Sequence, residues 1–339
     1  MTHMPTLDAV RAIAVSLVVL SHLALQFMGG VDHSAYSFRT MGHVGVAIFF
    51  VHTTLVLMAS LDRHGPAAIP FYVRRFFRIY PLSVTIVLLL ALLSEMAGSP
   101  VETSKILSNL FLVQNLTGHD SMPHPLWSLP YEVQMYLVLP ALYWITRTSR
   151  PAIWISLLCA GSVIFLLTLQ PNSYGFKLLR FVPCFLPGLL AFALARQTIP
   201  RANPLILFGL IGALGIVGIP MLVAAGMREI PLLWCLCLTL GVSIPACRPI
   251  QDGLVASGSK LIAKYSYGIY LTHVFALATI DGRTPGPSAV QWVAIMILLP
   301  GLAYVFYHGV EKHGIALGAR LAERCASNGK LDQRNSLPG

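Results

Sequence analysis

Runs of about 20 apolar residues recur along this chain, and charges are almost absent from them. As a helix, such a run crosses the ~30 Å hydrocarbon core of a bilayer. There a helix satisfies its backbone hydrogen bonds without water. Ten candidate spans can be read, at roughly 7–28, 42–60, 81–97, 131–146, 152–170, 178–195, 204–225, 230–247, 261–281 and 290–309. Composition points the same way. Charged residues make up 11% of the 339 and hydrophobic residues 56%, with mean hydropathy +0.72. A soluble domain carries about 25% charged residues. The expected fold is therefore all-α, a polytopic transmembrane helix bundle of about ten spans. The same arithmetic excludes a disordered chain, a secreted disulfide scaffold and a soluble enzyme with a membrane tail.

Lys and Arg set the expected orientation. With the N-terminus in the cytoplasm, most of the 23 basic residues fall in inward loops, and both termini are expected to be cytoplasmic. The net charge of +10 then reflects positive-inside loops. The first run carries Asp8 and Arg11 and no short-residue cleavage site, so it reads as a retained helix rather than a signal peptide. Residues 1–310 are expected to form the membrane domain and 311–339 a short basic cytoplasmic tail. The segment 98–130 reads as the longest outer loop, with Ile106 to Leu116 re-entrant or interfacial. The segment 61–80 reads as a basic cytoplasmic loop. The six cysteines are scattered and make no paired metal spacing, so no metal site is expected.

Ionisable residues inside a span cost about 2.5–3.5 kcal/mol each on insertion scales and need a reason. Arg11 and His22 share the first span, eleven residues apart. That is close to three turns, so they lie on one face about 16 Å apart along the axis. Arg11 reads either as a snorkelling anchor near Asp8 or as a functional cation. His22 reads either as a helix–helix hydrogen bond or as a base. His52 and His273 lie in later spans, where the same structural reading applies. The fourth span opens with Trp127-Ser128-Leu129-Pro130-Tyr131-Glu132. Glu132 in that first turn suits the helix dipole, or is a carboxylate meeting His22 at one depth. In Phe71 to Pro81, helical spacing puts Arg75 and Arg78 on one face, with Arg74 four residues from Arg78. Guanidinium forks suit phosphates, either of a donor or of lipid headgroups. Nucleic acid is not an expected partner of so short a patch at a membrane surface.

Five of these segments, in this order, resemble the acyltransferase 3 family of integral membrane acyltransferases. Leu7 to Val15 resembles its opening helix, and Arg11 with His22 reproduces its Arg, ten residues, His spacing. Gly45 to Val51 resembles its second helix. Arg75-x-x-Arg78 resembles its basic motif, Trp127-Ser128-Leu129-x-x-Glu132 a later motif, and Tyr265 to His273 its late helix. Two departures stand out. His52-Thr53-Thr54 replaces a usual Ser-Gly pair, and Val133 follows Glu132 where a second acid is common. Both put acyl size and acceptor in doubt more than the reaction.

The resemblance implies transfer of an acyl group, often acetyl, from acyl-CoA to a hydroxyl of a sugar, polysaccharide, glycolipid or macrolide. The implied home is a bacterial cytoplasmic (inner) membrane. Arg11, His22 and Glu132 become the implied catalytic residues, with His22 as general base and Glu132 orienting it or the acceptor. Arg74, Arg75 and Arg78 become the donor-phosphate grip. Trp127, Ser128, His52 and His273 become substrate-binding candidates. A transporter or flippase for an anionic or lipid-linked solute would also use intramembrane Arg, His and Glu, and a catalytically inert relative of the same fold is the third alternative.

Overall fold

The computed structural model describes residues 5–28, 35–169, 174–278 and 288–335. Its helices are α1 Pro5–Phe27, α2 Phe38–His64, α3 Ala68–Met96, α4 Thr103–Leu110, α5 Gln114–Thr117, α6 Leu129–Tyr143 and α7 Pro151–Leu169. There follow α8 Val182–Leu194, α9 Pro204–Leu210, α10 Ile219–Ala224, α11 Glu229–Ser243, α12 Leu254–Leu277, α13 Ala289–Phe306 and α14 Lys312–Asn335. Single 3-10 segments, His124–Ser128 and Tyr174–Phe181, lead into α6 and α8. π-helical stretches join α9 to α10 (Ile211–Gly218) and α13 to α14 (Tyr307–Glu311). Among the described residues there is no β-strand, only one isolated bridge between Ala202 and Cys247.

Each of the ten expected spans falls on a helical segment. Seven of these are long and apolar enough to cross a membrane, among the described residues. The expected spans 131–146 and 230–247 fall on α6 and α11, each of 15 residues. The span 261–281 falls on α12, which carries Lys260 and Lys264. Arg283 and the far ends of the expected spans 152–170 and 261–281 lie outside the described residues.

The bundle is built around α2. This helix is apolar on nearly every side and buries residues all round, from Thr40 and Met41 to Leu61. In a bilayer an apolar surface can equally face lipid, so what encloses this helix is the neighbours packed around it. It packs against α1, α8 and α11. Membrane helices have no hydrophobic drive towards each other and rely on close fit. Gly45 provides that fit: a Cβ there would stand 2.6 Å from Ala14 O and 2.9 Å from Val18 Cγ2 of α1. The outer surface is the reverse of a soluble protein's. Leu92, Met96, Leu137, Ile164 and Met296 are exposed, while Asn109, Gln114, His273 and Glu311 are buried.

Two boundaries differ from the sequence expectation. The basic loop expected over 61–80 is reduced to residues 65–67, where Gly65 takes a positive φ of 88°. Arg74, Arg75 and Arg78 lie inside α3, because Pro81 sits within that helix instead of starting it. A proline there leaves the carbonyl four residues earlier, on Phe77, without its helical donor. Gly314 of α14 packs against that Phe77 carbonyl and against Pro81. The segment expected as a tail is thus helical, continuous with α13 through the π-helical stretch, and docked on α3. The docking includes an ion pair between Arg78 and the fully buried Glu311. Distal from this basic end, the chain is capped by side chains. Ser37 accepts from Thr40 N (3.2 Å), and Ser288 with Gln291 forms a reciprocal capping box.

Gly45→Val should lower the stability of the α1–α2 packing by ~1–3 kcal/mol, the usual cost of overpacking. Melting in detergent checks this, with Gly209→Val, which faces open space, leaving the midpoint unmoved. Arg78→Ala should cost ~3–5 kcal/mol, because it leaves the Glu311 carboxylate buried and unpaired. Adding Glu311→Gln should recover part of that loss in a double-mutant cycle.

Candidate active site

Polar side chains line a series of adjoining cavities along the inner faces of α1 and α2. At the basic end, a cavity of about 450 Å³ is bordered by Asp8, Arg11, Arg63, Arg78, Lys260 and Lys264. A narrower central cavity, about 90 Å³, shares Arg11, His52, Val56 and Arg78 with it. Beyond lies a distal cavity of about 260 Å³ containing His22, His43, His124 and Trp127. Val46 and Tyr270 belong to the walls of both the central and the distal cavity.

Six of the ten candidate residues meet in the central cavity: Arg11, His52, Arg75, Arg78, Ser128 and Glu132. Arg11 donates from Nε to Ser266 Oγ (2.6 Å), which itself donates to Ala263 O (2.8 Å), so α1 is tied to α12. Glu132 accepts a hydrogen bond from the Tyr136 hydroxyl one turn along α6. Arg11 and Arg75 are the cations acting on that carboxylate. Arg78 is paired with Glu311, and its guanidinium lies 5.7 Å from the centroid of the Tyr267 ring. Tyr267 in turn donates to Ile79 O (2.7 Å). Arg74 is not part of this group. It lines none of these cavities and faces Glu323 on α14.

Trp127 and His22 lie in the distal cavity instead. The His22 Nδ1 is 2.9 Å from Val18 O. A carbonyl only accepts, so Nδ1 carries the hydrogen, and in the neutral ring Nε2 is left with its lone pair. His273 packs edge-on against His22, with ring centroids 4.9 Å apart. It repeats the same arrangement, Nδ1 donating to Ile269 O (3.2 Å). Its Nε2 is buried and has no hydrogen-bond partner among the described residues. Tyr270, one helical turn before His273's end of α12, donates to Pro125 O (2.6 Å) and accepts from Ser128 Oγ (2.8 Å). It thereby holds the 3-10 segment 124–128 against α12.

The expected meeting of Glu132 with His22 is not found. The 3-10 segment carries the chain inward before α6 begins. His124 is therefore the residue level with His22 (centroids 6.1 Å apart), and Trp127 the one level with His43 (5.3 Å). Glu132 follows a turn deeper, among Arg11 and Arg75. Partial desolvation, and then His43 and Arg39, hold the His124 imidazole below its ordinary value.

The structure also adds residues that the sequence did not single out. His43 Nδ1 lies 2.8 Å from Glu229 Oε1, joining α2 to the start of α11. Tyr136 holds Glu132, and Glu311 holds Arg78. Only Tyr136 carried a readable signal, its four-residue spacing from Glu132. Among the described residues, no group of three or more His, Cys, Asp or Glu side chains is placed to hold a metal ion.

Comparison with known proteins follows the same lines. An acyltransferase domain model, that of the acyltransferase 3 family, matches residues 4–308. The chain is 28% identical over 159 residues to the peptidoglycan O-acetyltransferase OatA of Listeria monocytogenes, covering 41% of this chain and 24% of that protein. It is 29% identical over 189 residues to the putative peptidoglycan O-acetyltransferase YrhL of Bacillus subtilis, covering 48% and 28%. It is 28% identical over 159 residues to the acyltransferase MdmB of Streptomyces mycarofaciens, covering 42% and 40%. These matches thus span less than half the length of each relative. No solved structure matches the chain. With nearly its whole length matched by the one domain model, this all-α membrane bundle belongs to the acyltransferase 3 family.

Proposed function

We propose that the protein is a membrane O-acyltransferase. It moves an acyl group, acetyl in the first instance, from acyl-CoA to a hydroxyl of a sugar, polysaccharide or glycolipid. The relatives' named acceptor, peptidoglycan, is one member of that class. The single observation that supports this most is the placing of His22. Its Nδ1–H is pinned to Val18 O, and it lines a cavity whose neighbour is rich in arginine.

In this reading the basic end faces the cytoplasm of a bacterium, and the bundle spans the inner membrane. The phosphates of acyl-CoA bind among Arg78, Arg63, Lys260 and Lys264, with Arg75 deeper. Arg78, held in place by Glu311, has further guanidinium N–H groups to offer the donor. The thioester end reaches past Arg11 towards Tyr270. The acceptor hydroxyl gives its proton to His22 Nε2, and its oxygen attacks the thioester carbonyl. The C–S bond then breaks, and the CoA thiolate takes the proton back from the imidazolium. Arg11 and Glu132 shape the passage that the acyl group crosses, and His273 supports the His22 ring.

His22→Ala should lower transfer by about 10²–10⁴-fold, the usual worth of a general base. Mass spectrometry of ester-linked acyl groups on surface glycans and glycolipids reads this. A deletion strain is complemented with wild type, His22→Ala or empty vector. An ester restored equally by His22→Ala removes His22 as the base. Orientation is checked separately, with exposed Cys235 and Cys325 replaced by serine. An impermeant thiol reagent should label Lys177→Cys in intact cells and Lys264→Cys only after permeabilisation.

A further inference from the structure

Three arginines line the narrow central cavity, and they are engaged very differently. Arg11 is bonded through Nε to Ser266, and Arg78 is paired with Glu311. The Arg75 side chain has neither a hydrogen bond nor an ion pair among the described residues, and its Nε is buried. Tyr136 and Glu132 of α6 act on it only through their charge. A guanidinium that leaves bulk water without gaining a partner is costly, and such a group calls for an explanation. The cavity that Arg75 lines is where an acceptor can reach it.

Arg78 looks towards Tyr267 and Glu311 and also borders the basic cavity, beside Lys260 and Lys264. Arg75 borders the central cavity and not the basic one. Glu132 shares that space with Arg75 without forming an ion pair to it. Its carboxylate accepts from Tyr136 and still has lone pairs to spare. An unengaged donor and an acceptor with spare capacity thus line one cavity. Much of the remaining lining is apolar, with Val46, Phe49, Val56, Leu57, Ile79 and Leu129.

The complement of such a passage is a thin chain, apolar along its length, that carries a carbonyl and an N–H side by side. A secondary amide is that group. It offers its oxygen to a guanidinium and its hydrogen to a carboxylate. A phosphate does not match, because it presents negative acceptors only, which Glu132 repels. The part of acyl-CoA between the phosphates and the sulfur is the pantetheine arm, a chain of methylenes and methyls with two secondary amides.

We infer that Arg75 and Glu132 form an amide-reading site for the donor's arm, in which Arg75 donates to a pantetheine carbonyl and Glu132 accepts the amide N–H. Arg75 and Arg78 then divide the donor between them, one reading the arm and the other the phosphates. The inference rests on acyl-CoA being the donor, and its test keeps the two apart.

The experiment measures binding without turnover, on the full-length protein in phosphatidylcholine nanodiscs, by ligand-observed NMR titration. Three probes dissect the donor: CoA, pantetheine, which lacks the phosphates, and adenosine 3′,5′-bisphosphate, which lacks the arm. Arg75→Met should weaken CoA and pantetheine by about ten-fold or more, the worth of a hydrogen bond to a charged group, and leave the bisphosphate unchanged. Lys264→Gln should do the reverse, weakening CoA and the bisphosphate while sparing pantetheine. A pantetheine analogue with ester oxygens in place of the amide N–H groups should bind the wild type several-fold more weakly than pantetheine, and Glu132→Leu should abolish that difference. The analogue comparison is made on the wild type, so it decides even where a variant fails to fold. Equal binding of the amide and ester forms overturns the inference. So does an Arg75→Met protein of unchanged melting midpoint that loses the bisphosphate as steeply as it loses CoA, which makes Arg75 a phosphate ligand. Either result, with CoA still bound by the wild type, leaves the donor reading standing. A wild type that binds neither CoA nor the bisphosphate removes acyl-CoA as the donor, and the amide site with it.

Discussion

A cation within a hydrocarbon layer has to be answered from inside the protein, and the arrangement of this bundle turns on how Arg11 is answered. Its guanidinium reaches Ser266 on α12, so the first helix and a helix more than 240 residues later are bonded at one point. Glu132 of α6 and Glu311 act on it as counter-charges, while Arg75 and Arg78 of α3 face the same cavity. Four helices therefore converge on one partly buried charge. The neighbouring cations are answered in different ways: Arg78 is paired with Glu311, and Arg75 lies in the field of Glu132 and Tyr136. Surface leucines face outward at no cost in lipid, so the polar residues carry the specificity of packing that hydrophobic burial provides in water. A stripe of polar groups down the centre is the consequence.

That logic explains what could be read from the chain alone. A residue that is expensive in lipid advertises itself, which is why Arg11, His52 and Glu132 were legible; Arg75 and Arg78 stood out as a guanidinium pair in an expected basic loop and Ser128 through the family resemblance alone, and all six share a cavity. The all-α bundle was legible from the recurrence of long apolar runs, of which seven match helices long and apolar enough to cross a membrane among the described residues. What stayed hidden depends on depth and on distant partners. His43 and Glu229 are separated by 186 residues, and each alone looks like an ordinary helix-end residue. The level of Glu132 relative to His22 is set by five residues of 3-10 helix, and no periodicity reports how far such a segment descends. The length of α3 was concealed by Pro81. A proline usually starts a helix, and here its disrupted carbonyl is covered by α14, a helix that itself read as a tail.

The partition of the interior into a basic side and a histidine-rich side has a physical meaning on the proposed reading. Arg11 and His22 are about three turns, or ~16 Å, apart on α1. No side chain bridges that distance. Whatever connects phosphate binding at one end with hydroxyl activation at the other must be part of the donor, and a long flexible thioester arm meets that need. The narrow central cavity then excludes the bulky head of the donor and admits the arm.

The same partition bears on how water is kept from the thioester. Tyr270 closes the wall between central and distal cavities with its hydroxyl committed twice, to Pro125 and to Ser128. A hydroxyl with both its donor and an acceptor position engaged offers little foothold for a water chain. On the proposed reading, His22 lines the cavity beyond that wall with its Nε2 lone pair available, on the side where the acceptor would enter. An acyl group brought through would meet the base only after passing the tyrosine. On the proposed reading, an acceptor in the distal cavity would by then occupy the space that a hydrolytic water needs. Transfer in preference to hydrolysis would thus follow from the order in which Tyr270 and His22 line one path.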